Sequence, residues 1–231
     1  MKPVFAALCL MVFCAPAWAE EVDNTCREGH FAMEGSYKLA KIKGAAKEKI
    51  LFQNDDDNSK TMDNDHESCP NLDISICPMK RHLIPGDQVV TKRQFKEFTC
   101  SGFQSKRGFI TGWVPTAALE NLPVEIVPLK DWVGTWSDGE DSITIRLGKT
   151  DGLEVDGDAV WHGGENTYGD KIVHTGQFAG SGTPKLNTLH IEEAESGCIV
   201  DMERVGTYMI VRDNDHCGGL NARFQDVYHR Q

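Results

Sequence analysis

The chain has 231 residues, with 24 Lys and Arg against 35 Asp and Glu, a formal net charge of −11 and eight cysteines. So acidic a chain, without a basic amphipathic stripe, repels nucleic acid over most of its surface and is not expected to bind it. The length suits one domain or two small ones.

The first 19 residues read as a secretory signal peptide: Lys2, an apolar run from Val4 to Phe13, then Ala17-Trp18-Ala19, with cleavage expected after Ala19. That run is about half of the ~20 residues a spanning helix needs, and no later segment approaches that length, so no membrane span is expected. Neither Cys9 nor Cys14 stands in the small-residue context of a lipoprotein signal, which argues against a lipid anchor. Six cysteines follow the cleavage point: Cys26, Cys69, Cys77, Cys100, Cys198 and Cys217. In an oxidising, periplasmic or secreted setting they predict three disulfides and no cysteine nucleophile. The order of pairing among Cys26, Cys69, Cys77 and Cys100 stays open.

Residues 20–122 form one expected domain, interrupted by an acidic insertion at 54–69, NDDDNSKTMDNDHESC. Asp55, Asp57 and Ser59 alternate as in a calcium loop, but Lys60 stands where such a loop needs glycine and no glutamate closes it. A solvated acidic loop is the plainer reading. Further on, Lys80, Arg81, Lys92, Arg93, Lys96, Lys106 and Arg107 outnumber the acids around them. Either this is a solvated sheet face, or Lys92, Arg93 and Lys96 meet an anionic wall polymer.

In ENLPVEIVPLKDW, Pro123 and Pro128 bracket a stretch that cannot stay helical, which places a linker at 123–130. From 131 to 231 the chain reads as strands: Trp132–Ser137, Ser142–Leu147, Leu153–Trp161, Ile172–Ala179, Thr188–Glu193, Cys198–Arg204, Tyr208–Arg212 and Ala222–His229. Alternation in SITIRL and TYMIVRD implies one buried face and one wet face. Eight short antiparallel strands suit a small closed barrel, which removes unpaired edges.

This half is the more acidic, with 9 Lys and Arg against 18 Asp and Glu after Glu125. An acidic surface steers a basic partner. The acidic loops SDGED, with Asp138, Glu140 and Asp141, and HGGENTYGD, with Glu165, are the candidate contacts, although both serve equally well as hairpin connections. The stretch DNDHCGGLNARF, residues 213–224, looks like chemistry but sits between the last two strands. Its Asp and Asn residues suit tight turns, Gly218 and Gly219 allow positive φ, and Cys217 can reach back to Cys198, so a stapled hairpin is expected. No GxSxG, HxH or HExxH occurs. No catalytic residue, metal ligand or cofactor is therefore assigned.

Two resemblances add to this reading. DWVGTW, with Gly134 and Trp136, resembles the Gly-x-Trp signature of the lipocalin-like, or calycin, barrels. That resemblance implies a basic residue from the last strand lying across the tryptophan, here Arg223 or Arg230, and it implies kinship with small secreted inhibitors of proteases and c-type lysozymes. Gly86-Asp87 and Gly112-Trp113-Val114 resemble the signatures of bacterial SH3-like domains, which implies affinity for cell-wall peptides or glycans. The whole arrangement resembles a group of exported bacterial two-domain proteins, without supplying a mechanism. The expectation is an all-β chain: an N-terminal SH3-like barrel and a C-terminal eight-stranded antiparallel barrel, stapled by disulfides. Its expected role is a non-enzymatic periplasmic binding protein, inhibitor-type toward a basic secreted protein such as a lysozyme or protease, or a binder of peptidoglycan. The alternatives are an envelope structural or interaction protein and a small-molecule carrier or enzyme using the barrel, the last disfavoured because so small a barrel fills its interior with side chains.

Overall fold

A computed structural model of the chain describes residues 25–33, 35–55, 69–149 and 152–231. The expected signal peptide and most of the acidic insertion, including Asp57, Ser59 and Lys60, lie outside the described residues.

The first half builds a seven-stranded antiparallel sheet. A single helical turn, α1 (Glu28–Phe31), precedes β1 (Lys38–Ile42), β2 (Ile50–Gln53), β3 (Pro78–Leu83), β4 (Gln88–Phe95), β5 (Phe98–Ser105) and β6 (Gly108–Pro115). A 3₁₀ turn at Thr116–Ala118 then leads into β7 (Leu119–Asn121). The strands lie in the order β3-β2-β6-β5-β4-β1-β7. Ala40, Ile42, Phe52, Leu83, Val89 and Val114 form a core of their own here. The open pairing resolves as Cys26–Cys100, which ties the N-terminal segment to β5, and Cys69–Cys77, which closes a short loop before β3.

Past an extended stretch and a second helical turn, α2 (Leu129–Trp132), come β8 (Gly134–Ser137), β9 (Ser142–Leu147), β10 (Leu153–Glu165), β11 (Lys171–Gly182), β12 (Thr188–Glu193), β13 (Cys198–Val205), β14 (Tyr208–Asp213) and β15 (Asp226–Arg230). Each of the eight expected strands has its counterpart, joined antiparallel in the order β11-β10-β9-β8-β15-β14-β13-β12. The two ends of this sheet, β11 and β12, face each other without a ladder between them, so the barrel is nearly closed. One bond crosses the seam, from the Ala179 N–H to the Glu193 carboxylate at 3.3 Å. Inside lie Trp132, Trp136, Ile143, Phe178, Phe224 and Tyr228, all buried, with Phe178 and Phe224 edge to face at 4.7 Å.

Several boundaries differ from expectation: β10 runs on to Glu165 and β11 to Gly182, past the expected Trp161 and Ala179. Trp132 ends α2 instead of opening a strand, and its carbonyl accepts the Trp136 indole N–H at 2.9 Å. The last strand starts at Asp226 because Asn221 takes a left-handed backbone (φ 67°) and the Phe224 N–H is held by the Asp213 carboxylate.

The larger difference concerns the outer barrel face. Met209 and Val211 point into the barrel, as alternation requires, but Tyr208 and Ile210 on the opposite face are equally buried. With Val205 and Val227 they join Cys26, Phe31, Tyr37, Val90, Phe98 and Trp113 of the first domain in a single apolar cluster. Each such side chain removed from water contributes about 1.5–3 kcal/mol, so the sheet and the barrel share a core rather than being strung on a linker. The expected wet face is lost where Val205, Tyr208, Ile210 and Val227 meet the first domain, and it persists farther along β13, where Asp201 is exposed and pairs with His190.

Candidate functional site

The basic residues of the first domain separate into two places. Lys92, Arg93 and Lys96, on β4 and the turn after it, are drawn into local structure. The Arg93 guanidinium donates to the Thr25 carbonyl. Lys92 donates to the His30 carbonyl at 3.3 Å and lies over the Tyr37 ring, while Lys96 lies over Phe95. Lys80, Arg81, His82, Lys106 and Arg107 instead rim a groove of about 430 Å³ floored by Phe103, Phe109 and Ile110. The groove arises because β6 pairs with β2 only at Trp113, so the tip of the β5–β6 hairpin and the edge strand β3 diverge. Asp55, first of the alternating acids in the insertion, is a structural anchor. Its carboxylate accepts the Cys26 N–H at 2.7 Å and the Trp113 indole N–H, and it pairs with Arg27 at 3.1 Å.

The acidic barrel loops divide as well. In the β8–β9 turn the Asp138 carboxylate accepts the N–H groups of Glu140 and Asp141 at 2.9 and 2.8 Å. Asp141 turns inward, only 9% exposed, and accepts the Val160 N–H at 2.8 Å. Burial pushes its carboxyl up to about 6, and the neighbouring carboxylates of Asp138 and Glu140 add to the rise. Of the three, only Glu140 is left to meet a partner.

The other loop is presented outward. Strand β9 pairs with β10 only as far as Asp158, so β10 and β11 run on together as a two-stranded arm to the Glu165–Lys171 pair. At the tip, Asn166 closes the turn: its side-chain oxygen accepts the N–H groups of Tyr168 and Asp170 at 2.8 and 3.0 Å, and its backbone N–H donates to the Asp170 carbonyl at 2.9 Å. Tyr168 stands on this fixed turn 88% exposed, between Glu165 and Asp170. Trp161 stacks on His174 at 5.2 Å lower on the arm. Glu165 marks the loop in the sequence; Tyr168, in the same nine residues, carries the larger contact area.

DNDHCGGLNARF is tied down by local bonds. Cys198–Cys217 is a disulfide, and Asn214 accepts the Ile199 N–H at 3.0 Å and donates to the Gly197 carbonyl at 2.8 Å. The left-handed positions are Asp215 and Asn221, not the glycines. Gly218 and Gly219 serve close packing instead: a Cβ on Gly218 would lie 2.6 Å from the Gly176 Cα, because this loop bridges onto β11.

The cation over Trp136 comes from β13, not from the last strand. The Arg204 guanidinium sits 4.1 Å from the ring centre and 5.7 Å from that of Trp132. It donates to the carbonyls of Asp131, Tyr208 and Gly206. Burial, then repulsion from Arg230, lowers its pKa to about 10. Arg223 pairs with Asp215 at 2.8 Å on the surface. Arg230 donates to the Val133 carbonyl beside Gly134, whose φ of +140° and closeness to that guanidinium leave no room for a side chain.

No group of three or more His, Cys, Asp or Glu side chains among the described residues is placed to hold a metal ion, and no described helix is long and apolar enough to cross a membrane. No family model, curated protein or solved structure matches this chain.

Proposed function

We propose that this is a non-enzymatic, exported binding protein of inhibitor type, directed at a basic protein through the tip of the β10–β11 arm. The observation that carries the proposal is Tyr168, 88% exposed on a turn already fixed by Asn166. A large aromatic on a rigid turn contributes contact area at low entropic cost, the property of an interface anchor. The acidic barrel adds electrostatic steering toward a basic partner. Within the same reading, the N-terminal half is an SH3-like domain and the C-terminal half a calycin-like barrel of a bacterial protein, released to the periplasm or medium by cleavage after Ala19. The three disulfides suit that compartment.

The test is inhibition of a basic c-type lysozyme and a basic secreted protease by the purified protein at low salt. Inhibition that weakens with added salt, and falls at least tenfold in Tyr168→Ala without loss of thermal stability, is expected. Full activity of both targets at micromolar protein overturns the reading.

A second reading rests on the groove rimmed by Lys80, Arg81, Lys106 and Arg107 over an apolar floor, which suits an anionic wall polymer. Peptidoglycan sedimentation with Lys106→Glu and Arg107→Glu tests it. Retained binding excludes the groove, whereas the same changes on Lys92 and Arg93 are expected to disturb folding first.

A further inference from the structure

A cleft of about 230 Å³ lies where the barrel meets the first domain, lined by Tyr37, Lys38, Ile126, Asp131, Arg204 and Arg230 among others. It is outside the barrel, so the filled barrel interior does not bear on it. We propose that this cleft binds a small organic monoanion with an apolar body, an aliphatic carboxylate of medium chain length.

The charge arrangement comes first. Arg204 is 8% exposed and its guanidinium is held by three backbone carbonyls; among the described residues no carboxylate stands within ion-pair distance of it. Arg230, on the same wall, is likewise held by a carbonyl, that of Val133. Buried charges are normally paired, whereas at Arg204 the repulsion from Arg230 outweighs the attraction of the Asp131 carboxylate. The ionisable side chains of the cleft are Lys38, Arg204 and Arg230 against Glu125 and Asp131, one positive charge in excess. A single carboxylate at the two guanidinium groups brings the cleft to neutrality and offers them a planar acceptor.

An apolar lip lies alongside. Val124 and Ile126, on the stretch before α2, both line the cleft and are 68% and 74% exposed. Pro123 and Pro128 stiffen that stretch from both ends. Leu186, whose carbonyl accepts the Val127 N–H at 3.3 Å, is 66% exposed and held in a left-handed backbone at φ 58°. The cleft is smaller than the pockets that enclose drug-sized molecules, which sets the ligand's size. Anionic head at the arginines and hydrocarbon along Val124 and Ile126 satisfy both features at once.

The probe is octanoate, titrated calorimetrically into the exported protein, with octanol and octylammonium in parallel. Octanoate binds with a millimolar or lower dissociation constant, octanol binds about tenfold more weakly or worse, and octylammonium does not bind. Arg230→Gln and Ile126→Ser, both at exposed positions, each weaken octanoate by about tenfold in protein that is fully folded at the temperature of the titration. Three results overturn the proposal: octanol binding as well as octanoate, octanoate binding that neither substitution weakens, or no heat of binding at millimolar octanoate.

Discussion

The Tyr208 hydroxyl, on the outer face of the barrel, donates to the Gln88 carbonyl of the first domain at 3.2 Å and accepts the Gln104 N–H at 3.1 Å. Burial among the residues that both domains share raises the pKa of that phenol. Tyr208→Phe keeps the ring but removes both bonds, and the expected loss is about 1–2 kcal/mol in chemical denaturation. Ile210→Ala, in the same cluster, is expected to cost about 2–5 kcal/mol. Both variants shift one common unfolding transition; two separated transitions, only one of them displaced, would show that the halves do not share a core.

The disulfide Cys198–Cys217 spans 19 residues of sequence and links the start of β13 to the loop that bridges onto β11. On the chain-entropy estimate its removal costs about 3 kcal/mol. The double change Cys198→Ala, Cys217→Ala is expected to lower the thermal midpoint by several degrees, more than Asp215→Asn, which loses the exposed pair with Arg223 and keeps a residue type that accepts the left-handed backbone at this position.

Asp141 imposes a pH dependence. Its folded pKa, about 6, lies above the ordinary carboxyl value of 3.8. The folded state therefore holds its proton more tightly than the unfolded chain does, and stability from this group is present below pH 4 and lost as the pH rises from about 4 to 6. Asp141→Asn keeps an oxygen for the Val160 N–H and removes the titration. Denaturation curves across this pH range are expected to fall less steeply in the variant, and identical slopes would show that the carboxyl titrates normally.

Arg204 holds three carbonyls and covers Trp136 with one planar group. Lysine retains the charge but not the fork, so Arg204→Lys is expected to destabilise by about 2 kcal/mol or more, with a change in tryptophan emission. Arg223→Lys, a surface control paired with Asp215, is expected to fall within about 0.5 kcal/mol of the parent.

How far each feature was readable depends on the distance over which it is decided. Ser142–Leu147 and Thr188–Glu193 are strands with the expected bounds, because alternation and turn residues act within a few positions. TYMIVRD shows alternation too, but the unbroken apolar run Tyr208–Val211 is the mark of a strand buried on both faces, and it announces the first domain's contact. Asp138 and Asp141 look like exposed turn acids, and nothing local tells that the second is carried inward to Val160. Lys92 and Lys106 look alike in sequence; one packs against Tyr37 and the other rims a groove because β4 lies inside the sheet and the β5–β6 tip lies outside it.

The all-β class, the eight strands of the second half and the Cys198–Cys217 staple are legible along the chain, since each depends on local periodicity or on cysteines either side of one hairpin. Which arginine covers Trp136, which acids remain exposed and that the two halves share a core emerge in the folded molecule alone. Those outcomes depend on how distant strands are brought side by side: Arg204 reaches a tryptophan 68 positions earlier in the chain only because β13, β14, β15 and β8 are neighbours around one barrel.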